Sequence, residues 1–148
     1  MKLNTEKSGL AMRFYLVERF FYVHHLEILA RLIFRFMQLL LGCTIPYTVK
    51  IDREVKIPHW HGIVMFYKSE IGKGTKVYQN VTLAGGRNGD GPIIGDNCIL
   101  GAGCVLLGNV KIGNNVNVGA NAVVLSDVPD NCTVVGIPAQ IVKNRNII

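Results

Sequence analysis

Two histidines, His59 and His61, stand two residues apart in the segment IPHWHGIV, and they are the side chains of this chain best suited to moving a proton. Imidazole titrates near neutral pH, so a histidine is the natural general base for taking the proton of a hydroxyl. An HxH pair is also a fragment of a metal site, but no third ligand stands near it in the sequence, and no metal is expected. A second segment, GGRNGDGP at residues 85–92, lacks the GK[ST] ending of a nucleotide-binding Walker loop. Its glycines allow close backbone approach, and its N–H groups suit a carbonyl or a phosphate. The four cysteines have no CxxC spacing. Cys98 and Cys104 read as buried, reduced, space-filling thiols. No signal peptide precedes them, so the cytoplasm is the expected compartment.

What positions these groups is a six-residue beat. An aliphatic residue returns at every sixth position from Ile94 through Leu100, Leu106, Ile112, Val118 and Val124. The same beat runs through Ile45, Ile51, Ile57 and Ile63, then through Ile71, Val77 and Leu83. Four residues after most of these comes a small or β-branched residue, such as Val49, Thr75, Cys98, Cys104 or Ala122. A period of six fits neither a 3.6-residue helix nor a two-residue strand alternation. It fits a hexapeptide solenoid, in which three hexapeptides close one triangular coil of a parallel β-helix. Gly, Asn and Asp crowd the positions just after the aliphatic residue, where the backbone must visit positive φ.

The beat breaks twice. The step from Ile63 to Ile71 is eight, and the step from Leu83 to Ile94 is eleven, which forces residues 85–92 out as a loop. On this template His61 falls in the small inward position, whereas His59, two residues after Ile57, projects outward from a turn.

With 148 residues the chain is one domain plus an appendage. Three parts are expected: a helical segment at 1–42, the solenoid at 43–143 and a short tail at 144–148. The appendage is rich in Phe, Leu, Ile and Arg, and reads as one or two helices split near His24 and His25. Arg13, Arg19, Arg31 and Arg35 interrupt it, which argues against a membrane span. Two readings remain for it: a cap packed on the solenoid end or on another subunit, or an amphipathic segment lying peripherally on a membrane surface. The net charge of +6 suggests an anionic partner, but no basic run with interleaved aromatics marks nucleic-acid binding. A single prism leaves flat, partly apolar faces exposed, and a three-fold arrangement would bury them.

The blocks PHWHGIV, IGKGTKVYQNVTLAGG, IGDNCILGAGCVLLGNVKIGNNVNVGANAVVLSDVPDN and VVGIPAQIV, in this order, resemble the serine O-acetyltransferase branch of the hexapeptide acyltransferases. They also resemble its short relatives that acetylate sugars during surface-polysaccharide assembly. The resemblance implies an all-β fold, a left-handed parallel β-helix with an N-terminal α-helical segment. It also implies a homotrimer that binds acetyl-CoA in clefts between neighbouring subunits. The implied reaction is acetyl transfer to a small hydroxyl acceptor, serine in one branch and a sugar in the other. The catalytic base falls on His59. The pantetheine-lining glycine falls on Gly85, the backbone-contacting alanines on Ala102 and Ala120, and a basic residue for a CoA phosphate on Lys143.

The chain also departs from the serine branch. The position of the family's His-orienting carboxylate, fifteen residues before the catalytic His, is Thr44 here. The acid beside that His is replaced by Pro58, and the Arg-His pair that grips serine is replaced by Asp90 and Gly91 before Pro92. Asp52 and Glu54 are the candidate substitutes for the orienting carboxylate. A non-catalytic hexapeptide scaffold is the reading outside enzymology.

Overall fold

A computed structural model describes residues 9–142, and Lys143 therefore lies outside the described residues. The described residues begin with a helical hairpin, α1 (Leu10–Val23) and α2 (Glu27–Leu41). The break falls at the two histidines, where His25 takes a left-handed conformation at φ 61°. Gly42 ends α2 in the same way, and its N–H donates to the Gln38 carbonyl at 3.2 Å.

Beyond Gly42 the chain winds a three-sided prism. One face stacks β1 (Lys50–Ile51), β3 (Glu70–Ile71), β6 (Ile93–Ile94) and β9 (Lys111–Ile112). A second stacks β2 (Val64–Met65), β5 (Thr82–Ala84), β8 (Val105–Leu107) and β11 (Val123–Val124). The third stacks β4 (Lys76–Val77), β7 (Ile99–Leu100), β10 (Asn117–Val118) and β12 (Thr133–Val135), and β13 (Gln140–Val142) closes it. Neighbouring strands are parallel except for the last pair, β12 and β13. The inward aliphatics, among them Val77, Leu83, Leu100 and Leu106, are fully buried in a single column. Cys98 and Cys104 fill the small inward positions as free thiols. Burial pushes the Cys104 thiol up to about 12, which leaves it protonated and inert as a nucleophile.

Register shows where the repeat is broken. Val105 lies beside Val123, eighteen residues on, which is three hexapeptides. Lys50 lies beside Glu70, twenty residues on, and Glu70 beside Ile93, twenty-three on. The second coil therefore carries five extra residues in the loop that follows Ala84, as the sequence requires. The first coil carries two extra residues, but not where the beat of isoleucines puts them. Met65, not Ile63, takes the main inward position in β2, and Ile63 fills the smaller one beside it. The insertion thus sits between Ile57 and Met65, in the turn PHWHG itself. This corrects the expectation for His61, which is exposed and not in the inward slot.

The hairpin is fastened to the prism through α1. The Tyr15 hydroxyl donates to the Val49 carbonyl at 2.7 Å and accepts the Ile51 N–H at 3.2 Å. Arg19 donates to the Tyr47 carbonyl at 2.8 Å.

Candidate active site

The prism has three corners, and the turn from Pro58 to Gly62 occupies the one between the β4 and β2 faces. Three backbone hydrogen bonds hold it. The Gly62 N–H donates to the Gly42 carbonyl at 3.0 Å, the Asn80 N–H donates to the His61 carbonyl at 2.9 Å, and the Ile63 N–H donates to the Trp60 carbonyl at 3.3 Å. Gly62 sits at φ 68°, which favours glycine, and a side chain there would displace the Asn80 carboxamide in the coil above. Trp60 packs partly into the core and stacks on His61, with ring centroids 5.4 Å apart. His59 is left exposed, with no hydrogen-bond partner among the described residues.

Counted from the inward aliphatic, His59 takes the same step as Gln79, Ala102 and Ala120 in the coils above. Their coils stack in register through Lys56 beside Lys76, Val77 beside Leu100 and Leu100 beside Val118. The structure therefore brings His59, Ala102 and Ala120 to one corner. Gln79 was passed over in the sequence. Its side-chain oxygen is enclosed without a partner among the described residues, and it stands between the histidine turn and Ala102. Its phase, two residues after an inward aliphatic, was the available signal.

Gly85 is not at this corner. It follows β5 at the next one, across the β2 face. The Phe66 ring of the coil below lies where a Gly85 side chain would be, 2.5 Å from its Cβ position. The neighbouring Gly86 N–H is committed to the Asp90 carbonyl at 2.8 Å, whereas the Gly85 N–H has no acceptor among the described residues.

The proposed substitutes for the orienting carboxylate are corrected by the geometry. Asp52 accepts the Glu54 N–H at 2.8 Å and Glu54 pairs with Lys73 at 3.3 Å, both at the third corner, away from His59. Thr44 accepts a hydrogen bond from Gln38 at 3.2 Å, and Asp90 pairs with Lys68 at 3.3 Å. No group of three His, Cys, Asp or Glu residues is placed to hold a metal among the described residues.

The faces differ in chemistry. The β2 face turns Val64, Thr82, Val105 and Val123 outward, with Leu107 and Leu125 exposed at its edge. The β1 face instead turns out Lys50, Glu70, Ile93 and Lys111, and the β4 face Lys56, Lys76, Ile99 and Asn117.

Comparison with known proteins bears on this arrangement. A bacterial transferase hexapeptide family model matches residues 91–126. The serine acetyltransferase of Staphylococcus epidermidis is 40% identical over 149 residues, covering 98% of this chain and 70% of that protein. The chain belongs to the serine acetyltransferase family. The enzyme of Bacillus pumilus is 37% identical over 125 residues, covering 82% of this chain and 58% of its own length. The crystal structure of Neisseria gonorrhoeae serine acetyltransferase in complex with serine superposes with a TM-score of 0.85 at 31% identity, covering 90% of this chain and 55% of that one. A serine acetyltransferase complex with CoA matches with a TM-score of 0.83 at 30% identity, covering 89% of this chain and 55% of that one. The chain thus spans a little over half the length of several relatives it matches. With the family comes the hand of the coil: the prism is a left-handed parallel β-helix, against the right-handed rule for ordinary parallel crossovers.

Proposed function

We propose that this protein transfers acetyl from acetyl-CoA to the hydroxyl of a small acceptor, with His59 as general base. The observation that carries the reading is the placement of His59, exposed on a turn held by backbone bonds at Trp60, His61 and Gly62, in register with Ala102 and Ala120. His59 takes the acceptor proton, and the hydroxyl oxygen attacks the thioester carbonyl. The tetrahedral oxyanion collapses with cleavage of the C–S bond, and the departing thiolate recovers the proton from the imidazolium. The Gly85 N–H, unpaired at the opposite edge of the β2 face, suits the oxyanion. Lys143, outside the described residues, is the candidate for a CoA phosphate.

This assignment requires a second copy. The β2 face is the most apolar of the three, and closing three copies around it buries Val64, Leu107 and Leu125. One edge of that face is the His59 corner and the other is the Gly85 corner. A three-fold ring therefore sets the His59 corner of one copy beside the Gly85 corner of the next, with the CoA groove between them.

The relatives' names point to serine as the acceptor. A sugar hydroxyl is a second reading, favoured by one observation: Thr44 and Asp90, which stand where the serine branch keeps orienting and serine-gripping groups, are engaged with Gln38 and Lys68. An acceptor screen for CoA thiol release decides between them. Turnover with serine supports the first reading, and turnover with sugar or nucleotide-sugar hydroxyls alone supports the second. Absence of CoA binding in a calorimetric titration rejects both and leaves a scaffold.

A further inference from the structure

The outward face of α2 is apolar and, among the described residues, uncovered. Ala30, Met37 and Leu41 are its packed side, while Ile28, Leu32 and Leu39 on the opposite side are 78%, 61% and 88% exposed. Phe36 and Leu40 widen the same stripe. Stripes of this size rarely face water in a folded protein. One flank of the stripe is basic. Arg31 and Arg35 line a cavity of about 410 Å³ between α2 and the prism, together with Phe34, Tyr47, Thr48 and Tyr67. The Thr48 hydroxyl oxygen is enclosed there without a partner among the described residues. Arg13 adds a further exposed cation on α1. Against these stand two acids: Glu27, paired with Arg31 at 3.1 Å, and Glu18, which is fully buried. The exposed charge of the hairpin is therefore net positive, and Arg31 and Arg35 set part of it beside the apolar stripe.

We propose that α2 seats this protein on an anionic bilayer surface. Its stripe enters the boundary between headgroups and acyl chains, and a headgroup phosphate occupies the cavity held by Arg31 and Arg35. No helix among the described residues is long and apolar enough to cross a membrane, so the contact lies in the plane of the surface. The charge pattern fits lipid better than a second copy of the same face, because face-to-face pairing brings the arginine flanks of both copies into one interface.

The test is co-sedimentation of the full chain with phosphatidylglycerol vesicles and with phosphatidylcholine vesicles, at low and at high salt. Binding to phosphatidylglycerol that weakens with salt is expected. A double variant, Arg31→Glu with Arg35→Glu, should lose at least roughly thirtyfold in partitioning, since each basic side chain near an anionic surface contributes about a factor of five. Leu32→Asp with Leu39→Asp should abolish binding to the same vesicles. Both variants alter exposed side chains, and unchanged thermal melting of each reports an intact prism. Equal binding of wild type to both vesicle types, or binding to neither, overturns the proposal. So does a wild type that associates further through this face by light scattering and loses that association with Leu39→Asp.

Discussion

The corner that carries Asp96 and the corner that carries His59 are folded from the same repeat, yet they do different things. At the first, side chains staple one coil to the next. The Lys73 N–H donates to Asp96 at 2.8 Å, the Asp96 N–H to Asn114 at 2.8 Å and the Asn114 N–H to Asp130 at 2.8 Å. Asn115 adds a side-chain bond to Asn131 at 3.1 Å. Every coil there keeps the regular step, and the polar groups satisfy one another. At the second corner two residues are inserted, the side chains shrink to alanine in the upper coils, and an imidazole is left without a partner. A solenoid distributes its stability among neighbour contacts. It can therefore give up one corner of one coil to chemistry while the others hold the fold.

Three substitutions break or sharpen this contrast, and a fourth tests the joint between hairpin and prism. The largest effect belongs to His59→Ala, which should lower kcat by about 10² to 10⁴ while leaving the melting temperature unchanged, as steady-state CoA release and calorimetry will show. Leu100→Ala strikes the column shared by both corners and should cost about 2–5 kcal/mol in denaturant titration, with kcat retained below the new transition.

Glu18→Gln probes neither corner but the joint between hairpin and prism. Glu18 is fully buried beside the core, and burial alone pushes its carboxyl to about 9. Below the ordinary carboxylate range, folded and unfolded chains both hold the proton and stability is independent of it. Above that range only the unfolded chain releases the proton, so stability should fall steadily as pH rises and level off near pH 9. On the order of 3 kcal/mol is lost between pH 4.5 and pH 7 in this way. The Gln variant should flatten that slope in urea titrations run across the range, and an unchanged slope would remove Glu18 as its source. The smallest effect is Asp96→Ala, which should cost about 1 kcal/mol of stability and nothing in kcat.

Much of this was legible in the residues. The isoleucine and valine beat predicted the column, the loop after Ala84 and the inward cysteines, because a prism interior admits only aliphatic and small side chains. The split of the helical segment near His24 and His25 was also legible. The isoleucine beat misplaces the first insertion because Met65 fills an aliphatic position while Ile63 fills a small one. Either assignment satisfies hydrophobicity, and only the register with Thr82 and Leu83 separates them. That single ambiguity decides whether His61 points inward or outward. The roles of Asp52 and Glu54 depended on which corner each occupies, which spacing alone does not report across an insertion. The helical segment stays open between a cap and a membrane-surface helix in the sequence, because the apolar arc of α2 is broad enough to satisfy both the packed and the open side.

The claim on which the account rests is that the reaction centre lies between copies, across the β2 face. Its most direct test is a double variant, Leu107→Asp with Leu125→Asp, at two exposed positions on the edge of that face. Sedimentation and CoA release are measured on the same sample. The account predicts a folded monomer that retains His59 and has lost acetyl transfer. A monomer that transfers acetyl at the wild-type rate would contradict it.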